Sequence, residues 1–237
     1  MPYSSVKIKR AGRWRGRART KCGTRVIVQI YTECDIHTVV QISKNNSEQS
    51  KKTTMSSLSS LGFTCWLTGL SGAGKSTLAV EIAKSLDKLL ISCEHLDGDI
   101  IRTNLSKGLG FSREDRNTNV ARVGFVCGLL NKYGVTTVVS LISPYRDARE
   151  KLRLYLPNFI EVYLDTPLEV CIERDVKGLY KKALSGEISD FTGISSPYEP
   201  PLNPDVALKP HQDTIEQCVE KVLEYLYSKD FIPKYRD

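Results

Sequence analysis

Gly69-Leu-Ser-Gly-Ala-Gly74-Lys75-Ser76-Thr77 is the stretch that decides the fold of this 237-residue chain. It fits the spacing G-x-x-x-x-G-K-[ST] and follows a short apolar run, Phe63–Thr68, that reads as a buried strand. A strand, a glycine-rich turn and a helix N-terminus together make a loop whose backbone N–H groups wrap phosphates. The motif therefore predicts that Lys75 reaches the β- and γ-phosphates of a nucleotide and that Ser76 is a Mg²⁺ ligand. We expect the whole loop to contact the nucleotide: Gly69, Leu70, Ser71, Gly72, Ala73, Gly74, Lys75, Ser76 and Thr77.

Strands and helices alternate along the chain from this loop onward. Such alternation predicts a parallel sheet with helices on both faces. The predicted fold class is therefore α/β, a P-loop NTPase-type three-layer sandwich with a mostly parallel sheet and a mobile lid. The predicted strands are Phe63–Thr68, Leu89–Leu96, Val135–Ile142, Phe159–Leu164 and Asp205–Leu208. The predicted helices follow Gly74 as far as Leu86, cover Ser112–Tyr133 with Ser112 as N-cap, start at Ser143-Pro144 with Ser143 as N-cap, start at Thr166-Pro167, and cover Asp213–Ser228.

The positive charge of the chain is concentrated at its N-terminus. Residues 1–54 hold 12 Lys/Arg and three Asp/Glu, a net +9, whereas the other 22 basic and 24 acidic residues give −2. We therefore divide the chain into a basic extension, residues 1–54, and a catalytic domain, residues 55–237. Three interpretations of the extension stay open: an organelle transit segment, a disordered upstream sequence with Met55 as the working start, or a tail that binds an anionic surface.

Cysteine usage and hydropathy restrict the class of protein. The seven cysteines are dispersed without a Cys-x-x-Cys pair and histidines are scarce, so zinc spacing is absent and reduced thiols are expected. No run of 18 apolar residues and no secretory signal pattern occur, so we expect no membrane association. The nearly neutral catalytic domain argues against nucleic acid as a partner. We expect a cytoplasmic protein, or a plastid or mitochondrial one if residues 1–54 are a transit segment.

A second acidic motif, Asp97-Gly98-Asp99, ends the second predicted strand. Carboxyl ends of strands in an open α/β sheet face the ligand crevice. One carboxylate there could associate with Mg²⁺, and the other could accept a proton from a substrate hydroxyl. An ordinary acidic turn with Gly98 at the bend is an equally good interpretation of the motif by itself.

Five separate blocks of sequence, taken together, are more specific than either motif alone. They are Asp97–Arg102, Leu109–Asn119, Ile142–Arg146, Lys177–Lys182 and Phe191–Gly193, which read DGDIIR, LGFSREDRNTN, ISPYR, KGLYKK and FTG. In this order the region from about Gly62 to Tyr227 closely resembles the adenylyl-sulfate kinases. One departure is Ile100, where that family often has Asn. Residues 1–54 have no counterpart in the family core.

The resemblance implies a role for each matched residue. It implies that Asp99 is the base for the 3′-hydroxyl of adenylyl sulfate, that Asp97 is a Mg²⁺-associated carboxylate, and that Ser143 matches a serine reported as a phosphate carrier in some members. It further implies that the acceptor is bound by Asp97, Asp99, Arg102, Phe111, Arg116, Asn119, Ile142, Ser143, Lys177, Phe191 and Thr192. Arginine forks suit the sulfate and phosphate oxygens, and aromatic faces suit adenine. Taken singly, Arg116 could instead lie on a solvated helix face and Phe111 in the core.

A lid is expected over residues 174–201, which are rich in Gly, Ser and Pro. Arg174 is expected near the donor nucleotide and Lys177 near the transferring charge. The resemblance implies that the chain transfers the γ-phosphoryl group of ATP, with Mg²⁺, to the 3′-hydroxyl of adenylyl sulfate and that it is a homodimeric enzyme. Two alternatives are a P-loop kinase for another small hydroxyl acceptor and a non-catalytic nucleotide-binding regulator.

Overall fold

The computed structural model describes three strands within residues 14–44 and every residue from 61 to 233. The chain divides into two compact units, Met1–Ser57 and Leu58–Asp237. In the first unit, β1 (Trp14–Arg19), β2 (Arg25–Glu33) and β3 (His37–Lys44) pair antiparallel in that order. The three interpretations of residues 1–54 concern processing and partners, which these strands do not test, so they stay predictions.

The second unit is built on a five-stranded parallel sheet in the order β5-β6-β4-β7-β8. This sheet and its flanking helices confirm the predicted α/β fold class. The strands are β4 (Thr64–Thr68), β5 (Cys93–Asp97), β6 (Thr136–Ser140), β7 (Phe159–Leu164) and β8 (Val206–Leu208). The helices are α1 (Lys75–Lys88), α2 (Gly98–Asn104), α3 (Arg113–Lys132), α4 (Arg146–Tyr155), α5 (Leu168–Arg174), α6 (Leu179–Leu184) and α7 (Ile215–Ser228).

Two apolar layers cover the sheet, one on each face. Side chains of a strand alternate between faces, and β4 shows this directly: Cys65 and Leu67 belong to the layer that contains Ile82 of α1, whereas Trp66 belongs to the other. The first layer also contains buried residues of α7, and the second contains buried residues of α3 and α4. The predicted three-layer arrangement is therefore confirmed, and the central strand β4 holds the phosphate loop between the two layers.

Two predicted element starts are wrong. The second strand begins at Cys93 rather than Leu89, because the Leu90 N–H and the Ile91 N–H bond back to the end of α1 and Leu90 adopts a left-handed φ of 59°. The fourth helix begins at Arg146 and not at Ser143, so Ser143 is not its N-cap. The Arg146 N–H instead donates to the Glu199 carboxylate at 2.9 Å, a cap supplied from 53 positions away.

Candidate active site

The phosphate loop joins β4 to α1, as the motif predicts. Gly72 (φ 74°) and Gly74 (φ 98°) use the left-handed backbone that favours glycine. The Lys75 ammonium donates to the carbonyl of Gly69 at 2.9 Å and to that of Leu70 at 2.7 Å. Burial is the main reason why the pKa of Lys75 falls to about 8. Phosphate oxygens would therefore offer this buried cation stronger partners than the two carbonyls do. The residues predicted to contact the nucleotide, Gly69–Thr77, all lie in this loop or in the first turn of α1.

Asp97 lies where β5 ends, beside the phosphate loop. Its carboxylate accepts hydrogen bonds from Ser76 Oγ at 2.7 Å, from Ser140 Oγ at 3.0 Å and from the Asp99 N–H at 2.9 Å. Burial alone would raise the pKa of Asp97, but these three donors outweigh it and hold the pKa below its usual range. Asp97 is thus an ionised carboxylate in contact with the other predicted Mg²⁺ ligand, Ser76.

Asp99 is the second residue of the short helix α2. Asp97 is the N-cap of this helix, so the acidic motif is a helix start rather than a simple bend. The Asp99 carboxylate is largely exposed and forms an ion pair with the ammonium of Lys177 from the lid segment. The structure therefore brings the predicted base and the predicted lid cation together.

Two arginines meet at Phe111, just before α3. The Arg102 guanidinium lies 4.4 Å from the ring centroid of Phe111 and donates to the Gly110 carbonyl at 2.8 Å. Arg116 is buried, which makes the solvated-face interpretation of that residue wrong. Its Nε donates to the Phe111 carbonyl at 2.7 Å, and its Nη2 donates to the carbonyl of Asp190. Arg116 therefore joins Phe111 to the segment that carries Phe191. We call Phe111, Arg116 and Phe191 the acceptor clamp.

Ile142 and Ser143 follow β6 and are held by a buried hydrogen-bond chain. Trp66 Nε1 donates to Ser143 Oγ at 3.0 Å, Ser143 Oγ donates to Thr68 Oγ1 at 3.2 Å, and Thr68 Oγ1 donates to the Ile142 carbonyl at 2.7 Å. Ser143 is 3% exposed and has a left-handed φ of 40°. Arg149 fixes this conformation, because its Nη1 donates to the Ser143 carbonyl at 2.5 Å. The geometry favours a positioning role for Ser143 over that of a phosphate carrier.

Two further predicted residues present polar atoms without partners. Asn119 is 3% exposed and Thr192 is 1% exposed, yet Asn119 Oδ1 and Thr192 Oγ1 have no hydrogen-bond partner among residues 61–233. Buried polar atoms are nearly always paired, so such atoms in a predicted substrate site are available for a ligand. Arg174 ends α5 and donates to the Pro210 carbonyl at 3.2 Å, and its position near the donor nucleotide stays a prediction.

A known protein family matches most of the catalytic unit. The adenylylsulphate kinase family model matches residues 61–209. The chain belongs to this family. The adenylyl-sulfate kinase of Rippkaea orientalis is 54% identical over 173 residues, which are 73% of this chain and 96% of the relative. The relative from Chloroflexus aurantiacus is 53% identical over 173 residues, covering 73% of this chain and 93% of its own.

Solved structures of adenylyl-sulfate kinases are also similar to this chain. Mycobacterium tuberculosis APS kinase CysC, in complex with AMPPNP and APS, is 44% identical with a TM-score of 0.67, covering 70% of this chain and 97% of that one. A hexameric APS kinase from Thiobacillus denitrificans is 31% identical with a TM-score of 0.57, covering 74% of this chain and 30% of that one. Among the described residues of the present family member, no helix is long and apolar enough to cross a membrane.

Sequence reasoning missed three residues that shape the site of this adenylyl-sulfate kinase family member. Arg149, Tyr180 and Glu199 lie within matched or neighbouring blocks, but each acts through contacts with residues distant in sequence. Arg149 is buried and also donates to the Glu161 carboxylate at 2.7 Å. A buried arginine on an otherwise polar helix has no local signature, because only the folded packing decides which arginine turns inward.

Proposed function

We propose that this protein transfers the γ-phosphoryl group of ATP to the 3′-hydroxyl of adenylyl sulfate, giving 3′-phosphoadenylyl sulfate and ADP. The observation that carries the proposal is the position of Arg116, which bonds the carbonyls of Phe111 and Asp190. It thereby links Phe111 to the segment that carries Phe191, and two aromatic residues joined through one cationic group suit a flat purine with anionic substituents. A sugar acceptor has no flat aromatic base to stack on Phe111 or Phe191, so these two residues favour a purine nucleotide as acceptor.

The residues around the phosphate loop divide the chemistry between them. Lys75 supplies a buried positive charge for the donor phosphates, and the lid cation Lys177 lies next to Asp99. The 3′-oxygen of adenylyl sulfate bonds to the γ-phosphorus while Asp99 accepts the proton of that hydroxyl. The bond between the γ-phosphorus and the bridging oxygen breaks, and that oxygen leaves with ADP. Asn119 and Thr192 contribute the unpaired polar atoms to binding of the acceptor. Positioning and charge stabilisation account for catalysis of this kind.

Mg²⁺ is part of the proposal, and two residues fit it. Ser76 Oγ and the ionised Asp97 carboxylate present oxygen ligands 2.7 Å apart, and Mg²⁺ prefers oxygen ligands. Among residues 61–233 no cluster of three or more His, Cys, Asp or Glu side chains could hold a metal by itself. The ion would accordingly depend on nucleotide oxygens and water for its other ligands, and it would supply charge neutralisation at the transferring phosphate.

A coupled ADP-release assay tests the proposed function. The purified chain is given ATP and Mg²⁺ with adenylyl sulfate, with adenosine or with gluconate, and turnover is expected with adenylyl sulfate alone. Asp99→Asn is expected to lower kcat by about 100-fold or more while ATP affinity is unchanged, because general-base transfer contributes about 10²–10⁴-fold. Turnover with another acceptor would favour a different P-loop kinase, and tight ATP binding without turnover would favour the regulator.

We also propose that the protein is a homodimer joined through α3 and α4. A groove of about 720 Å³ lies between these helices, and Phe125 and Tyr155 on its walls are more than half exposed. Glu114 and Lys151 line the same groove, so a twofold arrangement can set the acid of one protomer against the base of its partner. The hexameric relative is in keeping with assembly in this family.

The homodimer is tested by sedimentation of two matched variants. Phe125→Glu is expected to shift the protein to monomers, because it places a charge in the apolar groove. Ile215→Glu alters a similarly exposed apolar residue on α7, across the sheet from α3, and is expected to leave the dimer intact. If wild type and Phe125→Glu sediment equally, the groove between α3 and α4 is not the dimer interface.

A reducing compartment such as the cytoplasm is the location we propose. All five cysteines of the described catalytic unit are free thiols: Cys65, Cys93, Cys127, Cys171 and Cys218. Burial raises the pKa of Cys127 to about 11, so this thiol stays protonated and unreactive. An organelle remains the alternative if residues 1–54 prove to be a transit segment, and N-terminal sequencing of the native protein distinguishes the two.

A further inference from the structure

The lid helix α6 buries one tyrosine against the phosphate loop. Tyr180 is 1% exposed, and its hydroxyl donates to the Ser71 carbonyl at 2.9 Å. The start of α6 is itself fixed, because the N–H groups of Tyr180 and Lys181 donate to the two carboxylate oxygens of Asp175 at 2.9 and 3.0 Å. Burial raises the pKa of Tyr180, so its hydroxyl keeps the proton that it donates. A side chain of the lid is thus anchored on the loop that holds the donor phosphates.

This anchor has a consequence for the phosphate loop. The Ser71 carbonyl and the Gly72 N–H belong to one planar trans peptide, so they point in opposite directions. A donor that holds the Ser71 carbonyl therefore also fixes the Gly72 N–H, which faces away from Tyr180. Gly72 has a φ of 74°, a left-handed conformation that glycine adopts without steric cost, so an external contact helps to hold the preceding peptide in one orientation. Tyr180 supplies that contact.

The other side of Tyr180 contacts the acceptor clamp. The Tyr180 and Phe191 rings pack edge to face, with centroids 5.0 Å apart and planes at 78°. Arg116 links Phe111 to the carbonyl next to Phe191, as described above. A continuous series of contacts therefore runs from Phe111 through Arg116, Phe191 and Tyr180 to Ser71. Each member is held by a hydrogen bond or a ring contact, so the series is a contiguous physical route between the two sites.

We propose that Tyr180 is a positioning residue that couples the acceptor clamp to the donor phosphate loop, so that each substrate raises the affinity of the other. The proposal rests on the proposed function, because it requires both ligands to bind the same molecule. Tyr180 touches neither reacting group, and it acts through the Ser71 carbonyl and the Phe191 ring. Coupling of this kind is reciprocal, since the two binding equilibria share one thermodynamic cycle.

Tyr180→Phe isolates the coupling, because it removes the hydroxyl and keeps the ring against Phe191. The dissociation constant of a non-hydrolysable ATP analogue is measured by calorimetry on the full chain, with and without saturating adenylyl sulfate. In wild type, adenylyl sulfate is expected to tighten the analogue by about fivefold or more, a typical coupling. The ratio of the two dissociation constants, without and with adenylyl sulfate, is expected to fall to within about twofold of one in Tyr180→Phe. The dissociation constant of adenylyl sulfate, measured without and with the ATP analogue, should give the same ratio.

Tyr225→Phe is the matched control, because it removes a tyrosine hydroxyl that bonds Asp205 at 2.8 Å on the distant helix α7. Tyr225→Phe is expected to lower the thermal midpoint of unfolding and to leave the ratio of dissociation constants at the wild-type value. If Tyr180→Phe affected only stability, it would give the same two results. Equal ratios in wild type and Tyr180→Phe, or a wild-type ratio of one, would overturn the coupling. Wild-type chain that binds the ATP analogue but no adenylyl sulfate would overturn the proposed function, and the coupling with it.

Discussion

Arg116 is the buried residue on which the acceptor clamp depends. Its two hydrogen bonds leave from different nitrogens of one planar fork, a geometry that a lysine ammonium cannot reproduce. We expect Arg116→Lys to raise KM for adenylyl sulfate by about 10–100-fold, the equivalent of one lost charged hydrogen bond. ATP binding measured without acceptor should change less than about threefold.

The control for Arg116 lies on the same helix. Arg122 is exposed and donates to the Leu105 carbonyl at 3.2 Å, so Arg122→Lys makes the same chemical change outside the clamp. Its KM for adenylyl sulfate should stay at the wild-type value. Equal effects of the two variants in steady-state kinetics would mean that α3 stability, and not the fork, governs acceptor binding.

Ser143 offers a second residue-scale prediction, because a phosphate carrier needs an accessible hydroxyl. Its hydroxyl is buried between Trp66 Nε1 and Thr68 Oγ1. We expect Ser143→Ala to lose about 1–3 kcal/mol of unfolding free energy, since Trp66 keeps an unsatisfied buried donor, and to retain kcat within about tenfold. Urea unfolding and steady-state assays measure both. Phosphorylated wild-type enzyme in intact mass spectra after incubation with ATP alone would contradict this prediction.

Individual residues were predictable where a motif specifies both the residue type and its position. Lys75 and Ser76 follow from the spacing of the phosphate-loop motif, whereas Asp97 follows from the family resemblance, and the structure brings Ser76 and Asp97 into contact. Tyr180 and Arg149 were not predictable, because their roles depend on bonds to Ser71 and Ser143 that only the tertiary fold creates. Local sequence therefore predicts the phosphate loop. The residues that hold the site in place, such as Tyr180 and Arg149, depend on long-range packing and cannot be predicted in this way.

At the scale of elements, α7 depends on its first turn. Thr214 Oγ1 accepts from the Gln217 N–H at 3.3 Å, and the Gln217 side chain accepts from the Thr214 N–H at 2.9 Å, a complete capping box. We expect Thr214→Ala to lower the unfolding free energy by about 1 kcal/mol. Urea unfolding measures the loss, and kinase activity at low temperature should not change, because the Thr214 hydroxyl bonds the first turn of its own helix rather than the phosphate loop.

Thr214→Ser keeps the hydroxyl oxygen of the capping box and removes only a methyl group. Its unfolding free energy should therefore lie within about 0.5 kcal/mol of wild type, because Ser and Thr are both good N-caps. A loss in Thr214→Ser as large as in Thr214→Ala would assign the effect to packing of the methyl group. In that case the capping box would not be what stabilises α7.

Elements were predictable where their ends carry a local signal. Ser112 caps α3 by accepting from the Asp115 N–H, as the sequence indicates. The start of α4 was not predictable, because its cap comes from the Glu199 side chain and the nearby Ser143-Pro144 pair imitates a helix start. Apolar continuity hid the true start of β5, since Leu89–Ile91 resemble a strand but finish α1.

For the whole molecule, strand order decides where the site lies. β4 stands at the centre, and the chain goes next to β5 at one edge, then to β6, and then to β7 on the other side. Ligands bind where the strand order reverses in such sheets, and Asp97 and Ser76 meet there. Alternation of strands and helices predicts a parallel sheet but not this order, because the order depends on which helix layer each crossover joins.

Asp205 ties several elements of the catalytic unit together at the β8 edge. It accepts from the Glu161 N–H of β7 at 2.8 Å, from Arg153 of α4 at 2.8 Å, and from the Tyr225 hydroxyl of α7 at 2.8 Å. Partial burial would raise the pKa of Asp205, but these bonds outweigh it and lower the pKa from 3.8. Both helix layers therefore depend on one carboxylate in its ionised form.

This dependence gives the unfolding free energy a defined response to acid. Because the pKa is lower in the folded chain, the carboxylate of Asp205 contributes its full stabilisation above about pH 3.8 and loses it as the pH falls through the folded pKa. We expect Asp205→Asn to lose about 1–3 kcal/mol at pH 7. The difference in unfolding free energy between wild type and Asp205→Asn, measured by urea unfolding, should narrow below pH 3.8, since an amide has no proton to gain there.

The control variant Tyr225→Phe keeps the carboxylate of Asp205 and removes one of its hydrogen-bond donors. Its unfolding free energy should therefore fall by less at pH 7 and should still decrease in acid. A gap between wild type and Asp205→Asn that stays constant from pH 7 to pH 3 would mean that side-chain packing, rather than the charge on Asp205, joins the two layers.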